Sequence, residues 1–225
     1  MLHRWDLAIP EAKQLQTDLR QRLVPAWDGR QVSTVAGVDV GLRGGIARAA
    51  IVVLGYPELT PLVAATAKVP LAFPYVPGLL SFREAPAVLA AWDKLADRPD
   101  LVLFDGQGIA HPRGIGIAAH LGLWLGRPTV GVAKSRLYGR HAEPGPDKGD
   151  WAPLLDEDDG DKVIGAVLRT RTAVRPVYVS PGHLIDVPQS IHFVLTCTTK
   201  YRLPEPTRWA HRVAGGATLP VGERD

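Results

Sequence analysis

Several charged side chains stand where a chain that only had to pack would spend none. Asp39 interrupts the apolar run Val38-Asp39-Val40, Asp105 closes the apolar run Leu101–Phe104, and Glu84 follows a proline-rich loop by a few residues. A lone carboxylate inside an apolar strand is costly unless something compensates it, and ligand sites in α/β sheets open at the carboxyl ends of strands. Two or three such acids meeting in space would hold Mg²⁺, which favours carboxylate oxygens and keeps waters for substrate phosphates. Taken singly, each acid has a plainer use: Asp39 at a strand edge, Glu84 as a helix cap, Asp105 as a turn former. Lys134, after Pro128–Ala133, could set a positive charge beside a phosphate or be an ordinary surface lysine.

Other chemistries are excluded. In GVAKS only two residues separate Gly131 from Lys134, so no phosphate-binding P-loop forms, and there is no H-E-x-x-H or G-x-S-x-G. Gly106-Gln107-Gly108 after a strand is only a weak match to a dinucleotide turn, because His111 takes the place of the third glycine. His120, His183 and Trp124 read as structural.

The elements that must position these residues follow from periodicity. Leu15, Leu19 and Leu23 predict a helix over 11–24. Thr34–Gly41 and Ile46–Leu54 predict a hairpin turning at Arg43-Gly44-Gly45, with Val63–Val69 as a third antiparallel strand. Residues 70–80 carry three prolines and a glycine and form a rigid loop. Ser81 stands as an N-cap with Glu84 three residues on, so a helix runs to about Ala96. Leu101–Phe104 and 128–134 are buried strands, with a helix over 113–125 between them. Segment 139–162, without periodicity, reads as a long surface loop. Val163–Arg169, Pro176–Val179 and Ile191–Thr196 are expected as strands and Glu205–Val213 as a helix, with a frayed tail from about 217. A hairpin group followed by alternating helices and strands indicates an α/β fold with a mixed central sheet, in one domain over 1–225.

Composition agrees: of 225 residues, 46% are hydrophobic and 22% charged, as in a soluble globular protein. The single Cys197 allows no intrachain disulfide or thiolate zinc site, so a cytoplasmic, reducing compartment is expected. No apolar run is long enough to cross a membrane, and MLHRWDLAIPEAKQ has no secretory h-region. The net charge of +3 conceals an asymmetry: 139–162 holds eight acids and three bases, −5, which leaves +8 on the rest. A basic body suits a nucleic-acid partner; a solvated surface with one acidic loop is the plain alternative.

Five strings carry a resemblance: GVDV (37–40), PYVPGLLSFREAP (74–86), DGQGIAHPRGIGIAAHLG (105–122), GVAKSRL (131–137) and YVSPGHLID (178–186), followed by PEPTRWAH (204–211). In this order they resemble the signature blocks of the endonuclease V family, the deoxyinosine 3′ endonucleases of DNA repair. The resemblance implies a ribonuclease H-like fold with a mixed five-stranded sheet flanked by helices. It implies Mg²⁺-dependent hydrolysis, with Mn²⁺ able to substitute, of the second phosphodiester bond 3′ to deoxyinosine. By the same resemblance Asp39, Asp105 and Glu84 are the metal ligands, Lys134 and His211 complete the catalytic set, and Tyr75 is a wedge between Pro74 and Pro77. His111 lies near the DNA, and the backbone around Gly78, Leu80, Gly106 and Ile117 lines a pocket for the extruded base. A base in a duplex must be flipped out to be inspected on its Watson–Crick edge.

Alternatives remain open at this level: an inosine-specific ribonuclease or structure-specific nuclease of the same fold, or a nucleic-acid-binding protein without catalysis, against which Asp39, Glu84, Asp105 and Lys134 together argue. DNA containing deoxyinosine is the expected partner, with inosine-containing RNA as the alternative. No membrane or obligate protein partner is indicated.

Overall fold

Gly44 and Gly45 adopt φ of +57° and +75°, the left-handed pair that a two-residue hairpin turn needs to match strand twist. They join β1 (Thr34–Arg43) to β2 (Ile46–Gly55), and β3 (Pro61–Pro70) adds antiparallel to β2. In this computed structural model, which describes residues 2–219, β4 (Leu101–Phe104) then pairs parallel with β1, and β5 (Thr129–Ala133) parallel with β4. Beyond β5 the sheet continues antiparallel through β8 (Val177–Pro181), β7 (Val163–Leu168) and β6 (Trp151–Leu155). Among the described residues the mixed sheet therefore has eight strands in the order β3-β2-β1-β4-β5-β8-β7-β6, not five. Of the tail expected from about 217, all but the first three residues lie outside the described residues.

Successive strand residues face opposite layers. Val35, Leu101, Leu103 and Val130 meet α4 (Val187–Thr196) and α5 (Glu205–Ala214) on one face. Ala36, Val38, Val102 and Phe104 meet α2 (Leu80–Trp92) and α3 (Ile117–Leu125) on the other. Burial on both faces explains why β4 reads as an unbroken apolar run. At Gly37 the contact with α5 is backbone against backbone: a Cβ there would lie 1.9 Å from the Pro206 carbonyl oxygen. Before the sheet, α1 (Ile9–Leu19) sets Ala12 against Phe73, Leu79 and Phe82.

Four expectations are corrected. Segment 139–162 is not all loop: Trp151–Leu155 alternates exposed and buried residues and forms the last strand, with Pro153 tolerated because that strand is an edge. Ile191–Thr196 is helical, because Asp186 caps the preceding turn (its carboxylate accepts from the Gln189 N–H at 2.9 Å) and Pro188 presets the start. The helix expected from 113 begins at Ile117. Ser81 is not an N-cap: it lies inside α2, and its hydroxyl hydrogen-bonds His120 Nδ1 at 2.9 Å.

Candidate active site

The parallel pairing of β1 and β4 brings two carboxylates together. The Asp105 N–H donates to the Val38 carbonyl, so Asp105 emerges beside Asp39 at the point where the β1–β4 pairing stops and β1 runs on with β2 to Arg43. Asp39 faces the α5 layer, where His211 Nδ1 donates to its Oδ2 at 2.9 Å. Lys134, one residue past β5, forms an ion pair with Asp105. Glu84 approaches from α2 on the opposite layer. Burial, then the charges of Asp39 and Asp105, raise its carboxyl from the ordinary range to about 8. His211 and Lys134 thus contact the two aspartates, and Glu84 faces the same region from the opposite layer.

This donor set suits a hard cation: three carboxylates, one made reluctant to ionise first by burial and then by the other two, gain most from a shared positive charge. Among the described residues, no three His, Cys, Asp or Glu side chains are already gathered closely enough to share one ion. Lys134 and His211 meanwhile partner the two aspartates.

Beside the carboxylates, a cavity of about 150 Å³ is lined by Tyr75, Pro77, Gly78, Leu80, His111 and Ile117, together with Gln16 and Gln107. Buried Phe73 and Leu79 anchor the loop on either side, and Tyr75 between them is 71% exposed. Pro74 only leads into this turn and does not line the cavity. Gly106 does not line it either; it backs the wall, since a Cβ there would meet Ile117 Cγ2 at 2.6 Å.

The Gly78 carbonyl is the anchor of the cavity wall. It accepts from Gln16 Nε2 at 3.0 Å, Arg113 Nη2 at 2.7 Å and His111 Nε2 at 3.0 Å. At φ +78° with Arg113 packed where a Cβ would be, this position demands glycine. His111 therefore differs from the expectation of a DNA contact. Its other nitrogen accepts from the Arg113 N–H, and at 3% exposure it has no free ring nitrogen to offer a strand. Sequence reading missed Gln16, whose partner Gly78 lies 62 residues away; nothing local to α1 marks it.

His120, His183 and Trp124 are structural as expected. Trp124 Nε1 donates to His3 Nε2, which requires His120 Nε2–H to donate to the same nitrogen, at 2.7 Å. His183 Nδ1 accepts from the Val24 N–H. Burial pushes His111 down to about 4 and His120 down to about 3. Both folded values lie below the unfolded 6.5, so their stability is full above pH 6.5 and is lost as pH falls toward 4 and 3. At pH 5 each ring costs about 2 kcal/mol. Glu84, raised in the fold, has the opposite sign and gains stability over the same range. In Glu84→Gln that compensation is gone, and urea denaturation in EDTA should show a loss of about 4 kcal/mol from pH 8 to pH 5. An unchanged midpoint would mean that the rings ionise freely in the fold.

Residues 16–212 match the family profile described as Endonuclease V. The chain belongs to the endonuclease V family. An Endonuclease V of Trichormus variabilis is 52% identical over 94% of this chain and 96% of its own. The crystal structure of the Streptomyces avermitilis Endonuclease V superposes with a TM-score of 0.88 at 42% identity, over 94% of this chain and 93% of that one. The Ciona intestinalis Endonuclease V, in complex with a 24-mer DNA containing an inosine followed by a ribo-adenosine, superposes at 0.79 with 28% identity, over 92% and 96%. The chain is thus a DNA-cleaving nuclease, a hydrolase of the endonuclease V type, in a family that is metal-dependent. Among the described residues, no helix is long and apolar enough to cross a membrane.

Proposed function

We propose that this endonuclease recognises deoxyinosine in DNA and, with Mg²⁺, hydrolyses the second phosphodiester bond on its 3′ side. The observation that carries this reading is the adjacency of the three carboxylates to a small cavity flanked by an exposed tyrosine. We also read β3-β2-β1-β4-β5, an antiparallel group continued by parallel strands, as a ribonuclease H-like core, with β8-β7-β6 as its extension.

Asp39, Asp105 and Glu84 would hold the ion, which supplies charge neutralisation at the phosphate and a water of lowered pKa; Mn²⁺ accepts the same oxygen donors. Lys134, already beside Asp105, places a fixed positive charge next to the scissile phosphate. His211 orients the Asp39 carboxylate through its Nδ1–H. At about 150 Å³ the cavity is below the range for drug-sized ligands and suits a single extruded base. The Ciona complex, with its ribonucleotide after inosine, supports a second reading in which inosine-containing RNA is also accepted. Single-turnover cleavage of matched inosine and adenine oligonucleotides, in DNA and RNA, with and without Mg²⁺, tests both. Inosine DNA should be cut only with Mg²⁺; equal cutting of the adenine strand would sink the lesion assignment.

Tyr75 carries the binding prediction. Its ring, presented by a loop pinned at Phe73 and Leu79, fills the gap left by the flipped base. Stacking is worth ~1–3 kcal/mol per base, so Tyr75→Ala should weaken inosine-duplex affinity roughly 5- to 150-fold. Tyr75→Phe should retain it, because the ring does the stacking. Affinities measured in Ca²⁺ that are equal for wild type, Ala and Phe would reduce Tyr75 to a surface residue.

A further inference from the structure

On the layer opposite the cavity, Tyr201 is 46% exposed in the segment between α4 and α5. The Arg208 guanidinium lies 3.4 Å from its ring centroid. Arg208 is itself fixed, with Nη1 donating to both Glu205 oxygens at 2.8 Å, and Thr199 Oγ1 donates to Glu205 Oε1 at 2.6 Å. The next residue, Arg202, donates to the Lys134 carbonyl at 2.8 Å and to the Pro176 carbonyl at 2.7 Å. The ring is therefore held at both ends of a short segment, one residue from a group bonded to Lys134. Arg208 also lies one helical turn before His211, the residue that touches Asp39. With Lys134 paired to Asp105, Lys200, Arg202 and Arg208 still outweigh Glu205, so the surroundings are positive.

An exposed, immobilised aromatic in a positive setting beside a phosphodiester-cleaving centre matches the physics of a single-strand stacking platform. We propose that Tyr201, braced by Arg208, stacks an unpaired base of the nucleic-acid strand on the 3′ side of the cut. The direction rests on the proposed function: the lesion base enters the cavity on the α2–α3 layer, the carboxylates lie between the layers, and the strand leaving them on the α5 layer is the 3′ strand. The cavity reads the lesion, and Tyr201 holds the departing strand in line.

The test is binding of single-stranded inosine DNA by fluorescence anisotropy, with Ca²⁺ replacing Mg²⁺. One oligonucleotide ends one nucleotide past the cut, a second carries a 3′ tail of about ten nucleotides, and a third carries the same tail without bases. Wild type should bind the base-bearing tail about 10-fold tighter than the other two. Tyr201→Ala should lose that preference, and Tyr201→Phe should keep it. A wild type that binds the abasic tail as tightly as the base-bearing one, or a Tyr201→Ala that keeps the full preference, overturns the platform without any appeal to catalysis. Wild type that binds matched inosine and adenine strands alike overturns the inosine reading instead, a result separate from the tail comparison.

Discussion

Asp39→Ala and Asp105→Ala should each lower Mg²⁺-dependent cleavage by ~1,000-fold or more, the equivalent of about 4 kcal/mol of barrier. Thermal stability should remain at or above that of wild type. The stability half of this expectation comes from Glu84, whose raised pKa reflects burial and the proximity of the two aspartates. Deleting either aspartate relieves like-charge repulsion. It strands only an exposed partner: His211 is 70% exposed and Lys134 46%, and surface pairs of this kind contribute little. A site assembled for catalysis at the expense of the fold behaves in this way. Single-turnover cleavage and thermal melting measured on the same preparations check both halves. An Asp39→Ala protein that cuts at the wild-type rate removes the carboxylate assignment. One that is dead but strongly destabilised shows that Asp39 serves packing.

Gly37→Ala should behave in the reverse manner, losing stability first and activity as a consequence. The added methyl would meet the Pro206 carbonyl oxygen at 1.9 Å and its carbon at 2.0 Å. No flexible side chain can yield there, so α5 must lift from β1. Overpacking of this severity costs ~3 kcal/mol, and for a chain of this size the melting temperature should fall by roughly 6–12 °C. Because α5 carries His211, cleavage should fall as well, and a ligand-independent melt separates the two effects. A Gly37→Ala melt within a degree or two of wild type would show that the α5 contact can be rearranged at little cost.

Asp39 and Asp105 were legible as carboxylates set within or closing apolar runs, a costly placement, but their meeting rests on the parallel pairing of β1 with β4 past β2, β3 and α2, which chain order does not dictate. Glu84 was legible as an acid but not in its setting. The Ser81 capping pattern is sound chemistry, yet the cap position falls two residues earlier, at Leu79, and Ser81 is spent on His120. At 151–155 a five-residue alternation lies within an acidic, proline-bearing stretch whose composition outweighs its period. Ile191–Thr196 is an apolar run too short to fix its own period, and Asp186-Val187-Pro188 upstream was the better signal. The wall of the cavity was half legible: Gly78 and Leu80 belong to the family strings, while Gln16 enters only because α1 folds across the loop.

The acidic stretch takes on a different meaning once it is known to contain an edge strand. Residues 139–162 carry −5 against +8 elsewhere, and β6 closes one end of the sheet order while the β1–β3 hairpins close the other. Three acids of this stretch, Asp156, Asp158 and Asp159, nevertheless reach a cleft they share with Arg20 and His111, beside the cavity wall that His111 completes. An approaching polyanion therefore meets repulsion at that cleft and attraction from the basic remainder, and this steering weakens as salt shortens the reach of the field to about 8 Å at physiological ionic strength.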